Sequence, residues 1–315
     1  MIEQFKQDVY AGLSAEQKYL PSQYFYDAIG DELFRQIMAM PSYYLTRAEF
    51  EIFNEKTGEL IEALEVENDS FFEIIELGPG DGKKTKKLLK KMLRHGYDFS
   101  YHPVDISENA LQHLQSALNA EMPELDTRPK QGLYVDALAS LNDSDHKKIV
   151  LFLGSNIGNL SDEEASDFLY QLGSNFNHDD VLLLGVDLKK PQELVLPAYD
   201  DPEGITAQFN LNILERINRE LGGNFDLNNF SHEPEYLEDS GIANSYLKSL
   251  SDQEVSIASL GTSFSFRENE KIHTEISRKY DEEILNRIIA PTDFVMANRI
   301  TDSNDYFADY ILKRN

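Results

Sequence analysis

The chain has 315 residues, 41% of them apolar and 27% charged, enough for a sizeable core in one large domain or two modest ones. Its 56 acidic residues face 29 basic ones, a net charge of −27 that sets nucleic acid aside as a partner and favours a small molecule. The absence of cysteine excludes disulfides, thiolate metal sites and a cysteine nucleophile.

Residues 1 to about 56 are predicted to be helical. Ser14–Gln17 (S-A-E-Q) has the form of a capping box, Ser22–Phe34 continues the helical pattern, and Thr46 is placed as N-cap of a helix through Phe53. The opening M-I-E-Q-F-K-Q-D-V-Y has no apolar signal core, and no apolar run nears the ~20 residues of a membrane span, so a cytoplasmic protein off the membrane is expected. Tyr24, Tyr26, Tyr43 and Tyr44 crowd this region. Packing accounts for most of them, leaving one or two to aim a hydroxyl into a pocket.

Phe71–Thr85 (F-F-E-I-I-E-L-G-P-G-D-G-K-K-T) is the organising stretch of the chain. Its apolar start reads as a strand buried on both faces, and Gly78, Gly80 and Gly82 form a turn before a helix over Lys83–Leu93. The spacing departs from the G-x-G-x-x-G of dinucleotide folds and, with Glu76, comes closer to the acidic G-x-G turn of S-adenosylmethionine (SAM) methyltransferases. Alone, the turn serves equally as a structural βα connection. The basic run Lys83–Lys91 reads as a solvated face, with Lys84 near enough to the turn to meet a cofactor carboxylate.

A second strand is expected over Phe99–Val104, ending in Asp105, and a third over Gly132–Val135, followed by Asp136 and Ala137. Acids at such strand ends suit a ribose diol and an adenine amino group, although each acid singly also suits a cap or a loop. Ile149–Leu153 is a fourth buried strand leading into G-S-N-I-G-N-L, where Asn156 and Asn159 either line a ligand crevice or cap the helix from Asp162. Asp180–Leu188 is a fifth strand.

Beyond Lys190 the pattern changes. Leu194–Gly204 reads as a loop and Thr206–Leu221 as a long amphipathic helix. The alternating runs Val255–Phe266 and Lys271–Tyr280 suggest one antiparallel hairpin around R-E-N-E. A helix over Ile284–Ile289 and strands over Phe294–Asn298 and Tyr306–Leu312 close the chain. The fold class is α/β, a Rossmann-like seven-stranded sheet with a smaller α+β domain. The expected domains are 1–56 joined to an insertion at 190–279, and 57–189 joined to 280–315.

Y-D-A-I-G-D-E-L-F, P-S-Y-Y-L-T-R-A-E, I-E-L-G-P-G-D-G-K-K-T, F-L-G-S-N-I-G-N-L, A-Y-D-D-P-E-G-I-T-A-Q-F-N and H-T-E-I-S-R-K-Y stand in one order over nearly the whole chain. Together they resemble the histidine Nα-methyltransferases of ergothioneine biosynthesis. The resemblance implies SAM as cofactor, held by Gly78, Gly80, Lys84, Asp105, Asp136 and Ala137. It implies a free amino acid as substrate, histidine first, with up to three methyl groups placed on its amine to give hercynine. Tyr43, Asn159 and Tyr199 match the positions that hold the α-amino and carboxylate groups, Asn159 and Tyr199 orienting the reacting nitrogen. Glu275, Ile276 and Ser277 match those reading the imidazole, and Tyr26 one near the ring. Without the resemblance, Glu275 and Ser277 would read as an outward strand face. Near Ser245 the chain departs from the family, which has a methionine there lining the histidine pocket, so the amino-acid class is carried more strongly than histidine itself. A monomer is expected, with no metal.

Overall fold

The computed structural model describes residues 2–134 and 144–315. Two compact units account for the chain, Met1–Tyr44 with Lys190–Ser277, and Leu45–Lys189 with Arg278–Asn315. No helix among the described residues is long and apolar enough to cross a membrane.

The second unit opens with the helices Tyr44–Glu55 (its first residue belonging to the other unit) and Thr57–Ala63. Thr46 lies inside the first of these, not at its cap: the helix begins three residues earlier than a cap at Thr46 would have it. Strand β1 (Phe72–Leu77) is buried along its whole length, as its apolar run requires. It pairs in parallel with β2 (Phe99–Asp105), Leu77 opposite Val104. The helix Thr85–Arg94 crosses between them and buries Leu88, Leu89 and Met92.

The third strand is not at Gly132–Val135. Two dipeptide strands, β3 (Asp126–Thr127) and β4 (Lys130–Gln131), instead pair with β2, and Gly132, Leu133 and Tyr134 lie outside any strand. Pro129 sits between the two and cannot donate to the ladder, so the pairing with β2 is broken into two short pieces ahead of the expected strand. Val135, Asp136 and Ala137 fall outside the described residues. On the other side of β1 lies β5 (Lys147–Phe152), followed by β6 (Val181–Asp187), both parallel to it and nearly fully buried.

In the first unit the opening helix is Ile2–Ser14. Ser14–Gln17 is therefore the end of a helix and caps none: Phe5, Val9 and Leu13 form the buried stripe ahead of it, and Tyr19 bonds back to Gly12. Ser22–Phe34 is interrupted, with a short turn at Ser22–Phe25 and then the helix Ala28–Ala39, which Asp27 caps through the amides of Ile29 and Gly30. Leu194–Gly204 is not all loop, since Gln192–Val195 and Leu196–Ala198 are helical turns. The helix Ile205–Leu221 packs Phe209, Ile213 and Ile217 against Phe5, Phe25 and Ile37.

The expected hairpin is corrected more deeply. β7 (Phe230–Leu237) and β8 (Ile242–Ser249) form an antiparallel pair that the sequence patterns did not reveal. Val255–Phe266 folds on itself as β9 (Gln253–Ile257) and β10 (Thr262–Phe266) about the left-handed Gly261. β11 (Lys271–Arg278) joins β8, giving the sheet order β11-β8-β7, and Tyr280 lies beyond its end. Pro234 and the charged residues inside β7 hid the missing partner.

The chain then returns to the second unit through the helix Glu282–Ile289, β12 (Phe294–Thr301) and β13 (Phe307–Arg314). The sheet order is β12-β13-β6-β5-β1-β2-β3, with β4 also on β2 and β13 antiparallel to β6. One apolar layer covers each face: Leu169, Leu172, Leu285 and Ile288 on one side, Phe53, Leu60, Leu89 and Leu118 on the other. This is the Rossmann-like α/β architecture of the methyltransferase sheet. The strand order reverses between β1 and β5, which opens a crevice beyond their C-terminal ends.

Candidate active site

Two turns meet at that crevice. The turn after β1 places Gly78 at φ +70°, and an added Cβ there would lie 2.6 Å from Tyr134 Oη and 2.8 Å from Asn156 Nδ2. Only glycine fits, for both the dihedral and the close approach. The turn after β5 runs through Gly154 and Ser155, both left-handed, and a Cβ at Gly154 would lie 3.4 Å from Lys84 Nζ and 3.5 Å from Asn156 Oδ1. The Asn156 carboxamide thus touches both turns. Gly80 is exposed, with open space around it.

Asp105 stands at the end of β2, where its Oδ1 accepts the Ser107 amide at 2.9 Å. Burial, and after it the Asp105 carboxylate, push the Tyr134 hydroxyl up, so it stays a donor at neutral pH. Glu76 has a structural role: fully buried, it accepts bonds from Thr85 at 2.7 Å and from Tyr101, tying the helix start to β2. The donor set fits SAM: a lysine cation for a carboxylate, an acid one strand over for a diol, and a glycine backbone open to close approach. Asp136 and Ala137, assigned to the adenine end, are outside the described residues.

Behind Lys84 is a carboxylate from a distant part of the sequence. Glu49, 1% exposed, accepts the Gly154 amide at 2.8 and 3.1 Å and pairs with the Lys84 ammonium. A second acid, Asp309 on β13, is wholly buried, with no hydrogen-bond partner for either oxygen among the described residues. A Cβ at Gly185 would lie 2.5 Å from Glu49 Oε1 and 3.1 Å from Asp309 Oδ1, so both carboxyl groups crowd one backbone position. Burial first, then the Glu49 charge, holds Asp309 well above the usual carboxylate range, and Lys84 offsets this only in part. The folded chain therefore keeps a proton that the unfolded chain loses above about pH 4, and this contribution to stability is lost as pH rises through the folded pKa. Asp309→Asn should melt at a higher temperature than the parent at pH 8, with the gap closing toward pH 4. Melts at the two pH values check it, and a gap that widens in acid would refute it.

The residues matched to the amino acid, Asn159 apart, lie in the first unit. Tyr199 ends the helical turn Leu196–Ala198, is 7% exposed, and donates its hydroxyl to Ser277 Oγ at 2.8 Å. His232 Nε2 bonds the Tyr199 carbonyl at 2.9 Å; burial lowers the His232 pKa, so the ring is neutral and donates there. Glu275, Ile276 and Ser277 are consecutive in β11, Glu275 and Ile276 half-buried and Ser277 buried. Tyr26 and Tyr43 belong to an aromatic group, each edge-on to Phe34 with centroids 5.6 and 6.3 Å away, and Tyr26 also meets Phe209. Ser245 is buried in β8; its carbonyl accepts Thr274 Oγ1 at 3.0 Å.

Asn159 belongs to the second unit, at the end of the single turn Asn156–Asn159. It caps no helix, and neither does Asn156. Ser161 does that with Glu164, in a reciprocal capping box. Gly158 completes the turn, since a Cβ there would lie 2.8 Å from the Arg278 carbonyl. Sequence reasoning missed Glu49, Tyr134 and His232. Glu49 reads as one more acid on an acidic helix, and its only local signal is the three- and four-residue spacing from the apolar Leu45, Ile52 and Phe53 stripe that buries it.

The family described as histidine-specific, SAM-dependent methyltransferases matches residues 5–314. The chain is 36% identical over 281 residues to the histidine N-alpha-methyltransferase of Mycolicibacterium smegmatis, covering 89% of this chain and 86% of that protein. It is 34% identical over 285 residues to the histidine N-alpha-methyltransferase of Mycobacterium tuberculosis, covering 90% and 87%. It is also 30% identical over 310 residues to the ergothioneine biosynthesis protein 1 of Schizosaccharomyces pombe, covering 96% of this chain but 40% of that protein. With the motifs in order and the methyltransferase sheet in place, the chain belongs to the SAM-dependent, histidine-specific methyltransferase family.

Proposed function

We propose that the protein transfers methyl groups from SAM to the α-amino group of free L-histidine, up to three times, giving hercynine. The observation that carries this is the Glu275–Ser277 pair in β11, with Ser277 tied to Tyr199. A neutral imidazole offers one N–H and one lone pair. Glu275 accepts the first. Because Tyr199 donates to Ser277 Oγ, any further bond made through the Ser277 hydroxyl hydrogen is donated, which suits the second.

The same bond sets the role of Tyr199. With its hydroxyl hydrogen directed at Ser277, any further bond at Tyr199 Oη is one it accepts, as an amine N–H requires. Tyr43 and Asn159 complete the hold on the amino and carboxylate groups. Gly78, Gly80, Lys84 and Asp105 hold the cofactor, with Asp136 and Ala137 at its adenine end. Bound SAM supplies a methyl group on a cationic sulfur, an electrophile strong enough that alignment carries most of the rate. The amine needs its lone pair, so the chain's task is to desolvate and orient it; none of these residues is a dedicated strong base. The unit Met1–Tyr44 with Lys190–Ser277 is thus assigned to the amino acid, and the other to SAM.

Mass spectrometry of the purified protein with SAM and the twenty common amino acids tests this. One to three added methyl groups on histidine alone is the expected result; methylation of a different amino acid and not of histidine would overturn the substrate. Acting on free solutes, the enzyme is taken to be a cytoplasmic monomer, and light scattering at one chain's 36.0 kDa checks the monomer.

A further inference from the structure

We propose that Glu49 is a positioning residue for the cofactor, holding the Lys84 ammonium at the β1/β5 crevice before any ligand arrives. This rests on the reading of Lys84 as the cation that meets the SAM carboxylate. The geometry is a three-way tie. Glu49 comes from the helix Tyr44–Glu55, Gly154 from the turn after β5, and Lys84 from the turn after β1, and the one carboxylate receives both the Gly154 amide and the Lys84 ammonium.

Burial gives the tie a direction. The Glu49 side chain is 1% exposed and that of Lys84 22%, so the carboxylate is the deeper partner and the lysine the one that keeps surface open. An ammonium has three donors, and Glu49 takes one from behind. Glu49 cannot follow the lysine outward. Its Oε1 is packed on the β6 backbone at Gly185, where even a methyl group would collide, and its oxygens are held by the Gly154 amide. Lysine carries four rotatable bonds, and ordering them on binding weakens affinity. A carboxylate locked at the crevice wall imposes that order beforehand, and Gly154 leaves the room for it, since a Cβ added there would lie 3.4 Å from Lys84 Nζ.

A pair serving stability alone would make no difference to ligand affinity in the folded protein. Glu49→Gln keeps the shape and the acceptor for Gly154, and turns an amide NH2 toward the ammonium. We expect the dissociation constant for S-adenosylhomocysteine, measured by calorimetry, to rise about tenfold or more while that for histidine holds. Lys84→Met should weaken S-adenosylhomocysteine as well, and the double variant should bind no worse than Lys84→Met alone, because the glutamate acts only through the lysine. Glu49→Asp keeps the buried charge but draws it back one methylene, and it should show the same selective loss if the glutamine variant fails to fold. Parental affinity in the Glu49 variants beside a weak Lys84→Met overturns the role of Glu49 and leaves the Lys84 reading standing. Parental affinity in Lys84→Met overturns that reading and this one with it.

Discussion

Glu275→Ala should raise the dissociation constant for histidine by roughly 10- to 150-fold and leave that for S-adenosylhomocysteine unchanged. The carboxylate is half-buried in β11, two residues before Ser277. A hydrogen bond to a charged group is worth about 1.5–3 kcal/mol, and each 1.4 kcal/mol is tenfold in affinity. The loss should be selective, because Glu275 belongs to the first unit and the cofactor residues to the second. Calorimetric titration with each ligand separates the two. Unchanged histidine affinity would remove Glu275 from the recognition of the ring, and an equal loss for both ligands would point to damage to the fold.

A larger effect on stability is expected just past that strand. Lys279 and Asp187 are both 0% exposed, with Nζ and Oδ2 2.8 Å apart. Asp187 ends β6, and its amide bonds Ser155 Oγ at 3.0 Å, so the pair anchors the returning chain beside the turn that carries Asn156. Breaking a buried pair leaves a charge in low dielectric, and Lys279→Met should cost about 3–5 kcal/mol. The expected signature is a lower urea midpoint at unchanged slope. Lys279→Met combined with Asp187→Leu should recover much of the loss, since the double change buries no charge. If the single variant matched the parent, the pair would be shown to be worth no more than an exposed one.

The proposed hold on the amino acid rests on a joining of residues that spacing did not show. By resemblance Tyr199 and Ser277 belong to opposite ends of the substrate, the amine and the imidazole. The structure bonds their hydroxyls directly, so the donor state of one sets that of the other. His232, through the Tyr199 carbonyl, adds a third member from β7, a strand hidden in the sequence by Pro234.

The scaffold of the second unit was legible in the residues alone. The continuous apolar run before Gly78, the glycine spacing, the amphipathic helix after it and the apolar strands at Ile149, Asp180 and Phe307 are local patterns with a fixed period, and a local period dictates a local structure. Edges and partners were settled in three dimensions. Pro129 split the strand beside β2, Gly261 turned one expected strand into its own hairpin, and β11 took β8 as its neighbour, with Leu247 and Ile272 of the two strands in one apolar cluster with Phe209 and Ile213. Glu49 is the sharpest case. It lies 35 residues from Lys84, and its neighbours mark it only as one position on a buried stripe. Its role exists only because a helix, two turns and the backbone of β6 converge on one carboxylate, and such convergence is a property of packing that no stretch of sequence carries alone.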